Sequence, residues 1–163
     1  MANNTIFLKM EPIKGSAQHQ KFIGAISLNS FSTSAAFTLT EDVSNTQRTS
    51  GKAIGGDFTL TKDVDLATTE IYQYCLLATL IKTVELHIGT NNGMAGAWQP
   101  TLVYTMQNVL IKSISTSGSG TLPTDTFVLQ YASISVAYTQ QKTDTVAAGN
   151  GAFTFDKATT KGP

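Results

Sequence analysis

Apolar side chains along this chain recur mostly at every second position. Ile6, Leu8 and Met10 share one face of residues 5–10, and Phe37 and Leu39 alternate with Thr38 and Thr40. Phe58 and Leu60 oppose Asp57, Thr59 and Thr61, while Val84, Leu86 and Ile88 oppose Thr83, Glu85 and His87. A period of two is what a half-buried strand requires, because successive side chains point to opposite faces. The apolar-rich stretch 22–28 predicts a further strand, and the longest strand candidates are 101–115 and 126–138. In the latter, Phe127, Leu129 and Tyr131 share one parity and Ile134, Val136 and Tyr138 the other. A β-bulge near 131–133 is expected to reconcile them and curl the sheet. Ser117-Gly118-Ser119-Gly120 with Leu122-Pro123 marks the turn between the two. Long curved antiparallel strands predict a mainly β, two-sheet, barrel-like domain.

One helix interrupts this pattern, at about residues 66–79. Ile71, Tyr74, Cys75 and Ala78 fall at i, i+3, i+4 and i+7 and form a single stripe expected to be buried. Thr68 or Thr69 is expected to cap its start, with Glu70 well placed in the first turn. Two loops separate the strands. Residues 41–54 are long, polar and almost free of apolar side chains, which points to a functional or disordered segment. Residues 90–97 carry an Asn-Gly signal for a hairpin connection. The tail, 142–163, holds one short strand at 152–155, and its last residues are expected to fray. No internal repeat or second domain is visible, so one domain spanning 1–163 is expected.

Composition sharpens the picture. Charged residues are only 13%, and the eleven bases balance the eleven acids. No basic run is available to neutralise phosphates, so neither nucleic acid nor an anionic membrane is an expected partner. No stretch approaches the roughly 18 apolar residues of a membrane span. Ile6-Phe7-Leu8 is too short for the core of a Sec-type signal, so any export is expected to use another route. Cys75 is the single cysteine, which rules out an internal disulfide. Short hydroxyl side chains in place of long charged ones suit repeated packing between subunits, because few rotamers must be frozen.

Catalytic chemistry finds no foothold. His19 and His87 are the two histidines available for acid–base work, and both read as solvated or structural. Cys75 lies in the helix stripe without a nucleophile signature. Asp63-Val64-Asp65 resembles half a calcium loop, but further ligands at the required offsets are missing. Gly51-Lys52 and Gly55-Gly56 lack the order of a phosphate loop. No catalytic, cofactor or metal site is expected.

Several blocks follow one another in an order that is itself informative. Ile6-Phe7-Leu8-Lys9 with Ile13-Lys14-Gly15-Ser16 resembles the opening strand and Lys-Gly-Glu-Ser turn of the Hcp family of type VI secretion systems. Phe58-Thr59-Leu60-Thr61-Lys62-Asp63-Val64-Asp65, leading into the helix with Cys75, is similar to its Phe-Thr-Lys-x-x-Asp stretch and Ala-Cys helix end. Residues 109–120 (VLIKSISTSGSG) resemble Val-Leu-Val-Ser-Ser-Val-Ser-Thr-Gly-Gly-Ser-Gly almost position for position, and 128–138 follow a Leu-Asn-Phe-Ala-x-Ile-x-Val-x-Tyr pattern. There are departures. Phe31-Ser32-Thr33 stands where many members have Trp-Ser-Trp, residues 41–52 lack the usual glycine run, 89–100 differ, and GAFTFDK only loosely resembles the Gly-Trp-Asp ending.

The resemblance implies a β-barrel-like pair of sheets with a flanking helix. It implies a structural protein that forms hexameric rings, which stack into a tube inside a contractile sheath. The tube is capped by a spike, carries small effectors in its lumen, assembles in the bacterial cytoplasm and is fired out of the cell. Implied partners are therefore further copies of the chain and the spike, sheath and effector proteins. Within that frame, residues 41–52 are expected to make the ring-on-ring contacts, with Asp42, Gln47, Arg48 and Lys52 as polar anchors. Ser32, matching the middle of Trp-Ser-Trp, is expected to face the lumen. Two other readings stand beside this one. The first is a monomeric β-sandwich module binding carbohydrate or protein, with Trp98 and Tyr104 as a stacking platform. The second is a small hydrolase, for which nucleophile and base are wanting.

Overall fold

Alternating strands dominate the computed structural model, which describes residues 3–19, 22–38, 52–91, 98–141 and 147–157. In chain order they are β1 (Asn3–Lys9), β2 (Ile26–Leu28), β3 (Ser30–Ser32), β4 (Ala35–Thr38), β5 (Lys52–Gly55) and β6 (Phe58–Asp63). Helix α1 (Ala67–Leu76) follows, then β7 (Ile81–Asn91), β8 (Trp98–Ser117), β9 (Thr124–Gln130), β10 (Ser133–Gln141) and β11 (Ala147–Asp156). All pairings are antiparallel. The hydrogen-bonded order runs β2-β1-β7-β8-β9-β6-β3, with β10 and β11 branching from β8, and β4-β5 forming a separate ribbon. The two ends of this path, β2 and β3, are neighbours in the chain, joined through Asn29, whose amide donates to the Thr61 carbonyl at 2.7 Å. The sheet therefore curls back on itself, as the long strands led one to expect.

The curl has a localised cause. β8 pairs with β7 and β10 through its first half and with β9 through its second. The change occurs at Asn108, whose φ of 52° lies in the left-handed region that asparagine tolerates better than most residues. The neighbouring chain turns at the same level. Between β9 and β10, Tyr131 and Ala132 leave the strand, and the Ala132 amide bonds to the Gln107 carbonyl at 3.0 Å. The expected bulge at 131–133 is thus a full break, where one chain leaves the β6 side and joins β11. That is why the buried parity changes there: Phe127 and Leu129 face the core on one side, Ile134 and Val136 on the other.

Inside the curl, Leu8, Phe58, Leu60, Ile71, Leu86, Met106, Phe127 and Leu129 are fully buried. The helix contributes Ala67 and Ile71, with Tyr74 and Cys75 partly buried beside them. The expected stripe is therefore shorter by one residue. Ala78 is exposed and stands past the helix end with φ 49°, closing it as a left-handed residue. The cap also differs from expectation. Asp65 Oδ1 accepts the Ala67 amide at 2.9 Å, and Thr68 Oγ1 accepts the Asp65 amide at 3.1 Å.

Three elements depart from the sequence reading. Residues 22–25 form a turn rather than the start of a strand, and only Ile26–Leu28 pair with β1. The supposed loop 41–54 ends in β5, because Ala53 and Ile54 pair with Phe37 and Ala36. The tail strand is ten residues long and pairs along β10 from Ser133↔Asp156 to Gln141↔Ala147.

Candidate functional site

Two interior arrangements and one surface groove carry what this molecule can do. The first interior arrangement is ionic. Lys62 and Asp125 are direct cross-strand partners on β6 and β9, on the same parity as Phe58, Leu60, Phe127 and Leu129. Both side chains are wholly enclosed. The Lys62 ammonium donates to Asp125 Oδ2 at 2.9 Å, Asp65 Oδ1 at 2.8 Å, Thr68 Oγ1 at 2.9 Å and the Asp63 carbonyl at 3.2 Å. Thr68 and Thr116 donate to the two Asp125 oxygens, each at 2.6 Å. Burial alone would raise the Asp125 pKa; the hydrogen bonds from Thr116, Thr68 and Lys62, with the Lys62 charge, outweigh it and hold the carboxyl below its ordinary range. Among the described residues no buried side-chain polar atom lacks a partner. The network ties the start of α1 to β6, β8 and β9. It offers no open ligand position.

The second arrangement lies on the outer side of β1, β7 and β8, where Phe7, Ala17, Phe22, Ala25 and Trp98 form a separate buried cluster. Phe7 and Phe22 stack at 4.7 Å, and Trp98 meets Phe22 edge-on at 4.6 Å. His19 lies 5.5 Å from Phe7, and His87 lies 5.1 Å from Phe22 and 3.2 Å from Glu85. His87 therefore does sit opposite the core residues of its strand, but that face is covered, so it is half-buried rather than solvated. Trp98 is buried and donates to Thr5 Oγ1 at 3.1 Å. A register shift opposite Ile88/Gly89 separates Trp98 from the core-facing part of β8, so Tyr104 joins the main core instead. The two aromatics expected to form a sugar platform thus belong to different clusters.

The groove lies between the β4-β5 ribbon and the core-facing side of β10 and β11. It has a volume of about 430 Å³, and its lining holds no charged side chain. Tyr104, Tyr131, Ile134 and Val136 form its floor, with Ile54 and Phe153 at the rim, each half exposed. Burial pushes the phenols of Tyr104 and Tyr131 up, with Asp57 adding to the effect at Tyr131. The ribbon is held close through Gly55, where a Cβ would stand 2.6 Å from the Tyr131 hydroxyl.

Of the residues singled out in the sequence, Ser32 ends β3, pairs with Thr59 and is exposed. Lys52 opens β5 opposite Thr38. Asp42, Gln47 and Arg48 lie outside the described residues. The described residues include no group of three or more candidate metal ligands, and no helix long and apolar enough to cross a membrane.

Residues 7–138 match the family described as "Type VI secretion system effector, Hcp". The chain belongs to the Hcp family. The fold agrees along its whole length. A solved "type six secretion system protein" superposes with a TM-score of 0.90 at 22% identity, covering 99% of this chain and 100% of that one. Hcp1 from Salmonella typhimurium gives 0.75 at 20% identity with full coverage of both chains. A type VI secretion system effector from Yersinia pestis gives 0.71 at 18%, covering 93% and 98%. Among curated proteins no sequence matches. The Phe58-to-Asp65 block that resembles the Hcp pattern contains Lys62 and Asp65, two members of the buried ionic network.

Proposed function

We propose that this chain is a non-catalytic tube subunit of a type VI secretion system. It forms hexameric rings that stack into the inner tube, leaves the cell with the spike, and carries small effectors in the lumen. The observation that carries this reading is the family match over 7–138, together with a fold shared end to end with a type VI secretion protein. The surface chemistry favours it: charged residues are scarce, so copies can meet with little desolvation of ions. Among the described residues β11 pairs with β10 alone, which leaves its other edge without a strand partner there. A ring interface is heterologous, one patch meeting a different one until rotation closes the set. Ring-on-ring contacts are assigned to residues 41–52 through Asp42, Gln47, Arg48 and Lys52, and Ser32 is assigned to the lumen wall.

The test is the solution mass by light scattering, with negative-stain images of the same fraction. Six subunits in ring-shaped particles are expected. A monomer at high concentration would sink the tube reading and favour a module that binds an apolar ligand in the groove of about 430 Å³. Arg48→Glu is expected to leave single rings intact while abolishing their stacks; unchanged stacking would remove 41–52 from the axial contact.

A further inference from the structure

The apolar groove has a counterpart on the same molecule. α1 ends at Leu76, Leu77 follows as its C-cap, the left-handed Ala78 turns the chain, and Leu80 stands just before β7. These three leucines are 81%, 67% and 57% exposed. From Ile71 to Ile81 the sequence has no charged residue. The chain thus presents an apolar knob at one place and an apolar hollow at another, each an unusual feature for a solvated surface.

Their positions decide how they can meet. Gln107 of β8 pairs with Thr83 of β7 on one edge and with Ser133 of β10 on the other. The knob leads directly into β7, and the groove is built on β10 and β11. Knob and groove therefore sit on opposite flanks of β8, and a chain cannot fill its own groove with its own knob. Two copies related by a head-to-tail operation can, and repetition of that operation generates a ring or a filament. The lining residues carry no charge, although Lys157 Nζ lies 4.2 Å from the centre of the Tyr131 ring, so apolar side chains suit the hollow better than charged ones, which would lose hydration on entry.

We infer that the groove under the β4-β5 ribbon receives the Leu76/Leu77/Leu80 knob of the adjacent copy. This rests on the self-assembly reading above and adds to it the contact that joins neighbours. Ile54 and Phe153 close over the incoming leucines, and Tyr104 and Tyr131 form the base.

Complementation tests it. A knob variant, Leu77→Asp with Leu80→Asp, keeps its groove; a groove variant, Ile54→Asp with Phe153→Asp, keeps its knob. The altered side chains are at least half exposed in the isolated chain, and Trp98 fluorescence with circular dichroism verifies folding. Each variant alone is expected to be monomeric, its association weakened about a hundredfold or more. An equimolar mixture is expected to give 1:1 dimers, because one good knob and one good groove remain. Leu80→Cys with Phe153→Cys, in a Cys75→Ser background, is expected to link wild-type-like assemblies into a covalent ladder under oxidation. If the unaltered chain forms rings and both variants do so equally well, or the mixture stays monomeric, the contact is wrong while the tube reading stands. If the unaltered chain is itself monomeric, the tube reading falls and the contact falls with it.

Discussion

Lys62 and Asp125 face each other across the β6–β9 ladder, ammonium to carboxylate at 2.9 Å, with neither side chain reaching solvent. A pair in that position is no net gift to stability, since both ions are stripped of water; its removal by halves is what hurts. Asp125→Ala leaves the Lys62 charge enclosed with Asp65 as its remaining counter-ion. Urea unfolding is expected to show a loss of about 3–5 kcal/mol. The double variant Lys62→Met/Asp125→Leu is expected to lose less than the two single losses summed, by about 1–3 kcal/mol. Strict additivity would show that the pair is not coupled.

The same carboxyl sets an acid limit. Its pKa is lower folded than unfolded, so the unfolded chain binds its proton first as pH falls. The stabilisation is complete above the ordinary carboxylate range, near pH 4 for the free side chain, and is lost as pH drops through the lower folded value. Between pH 7 and about 5 this group should leave the urea midpoint unchanged; below about 4 the midpoint should fall. In Asp125→Asn the acid fall due to this group should be missing, whereas an undiminished fall would assign acid sensitivity to other carboxylates.

This network was legible in part. Lys62 continues the inward parity of Phe58 and Leu60, and Asp125 that of Phe127 and Leu129. Period two alone therefore places both charges in the core, but a charged residue on an apolar face reads as the end of a strand. Only the β6–β9 register shows that the two meet. The parity switch at Tyr131 was visible as well, yet its meaning was not. A bulge and a change of partner leave the same trace in a sequence, and the partner change depends on Asn108 of a different strand. Phe22 and Trp98 were opaque for another reason. Their cluster joins residues far apart in sequence on the side of β7 that alternation assigns to solvent.

Ala78 ends the helix at φ 49°, a conformation in which its Cβ is strained and glycine is not. Ala78→Gly is expected to stabilise the fold by about 0.5–1 kcal/mol, raising the Tm by about 1–4 °C. A lower Tm by scanning calorimetry would mean that the flexibility added to the unfolded chain outweighs the relief.

Gly89 allows β7 to pass close to its partner. A Cβ there would stand 2.3 Å from the Gln99 carbonyl oxygen and 2.5 Å from the Trp98 ring. Gly89→Ala must displace backbone, so a loss of about 2–3 kcal/mol is expected, as for an overpacked core. Since Trp98 is the single tryptophan, its emission should shift as well. Native emission and stability together would show that the strand end yields freely.

β8, twenty residues long, belongs to both sides of the curl: its first half pairs with β7 and β10, its second with β9. Opening either side therefore disturbs the strand that anchors the other. A chain that breathed in halves would bare long strand edges, and such edges template mispairing. One continuous strand thus couples the two sides of the curl, so that each guards the edges of the other.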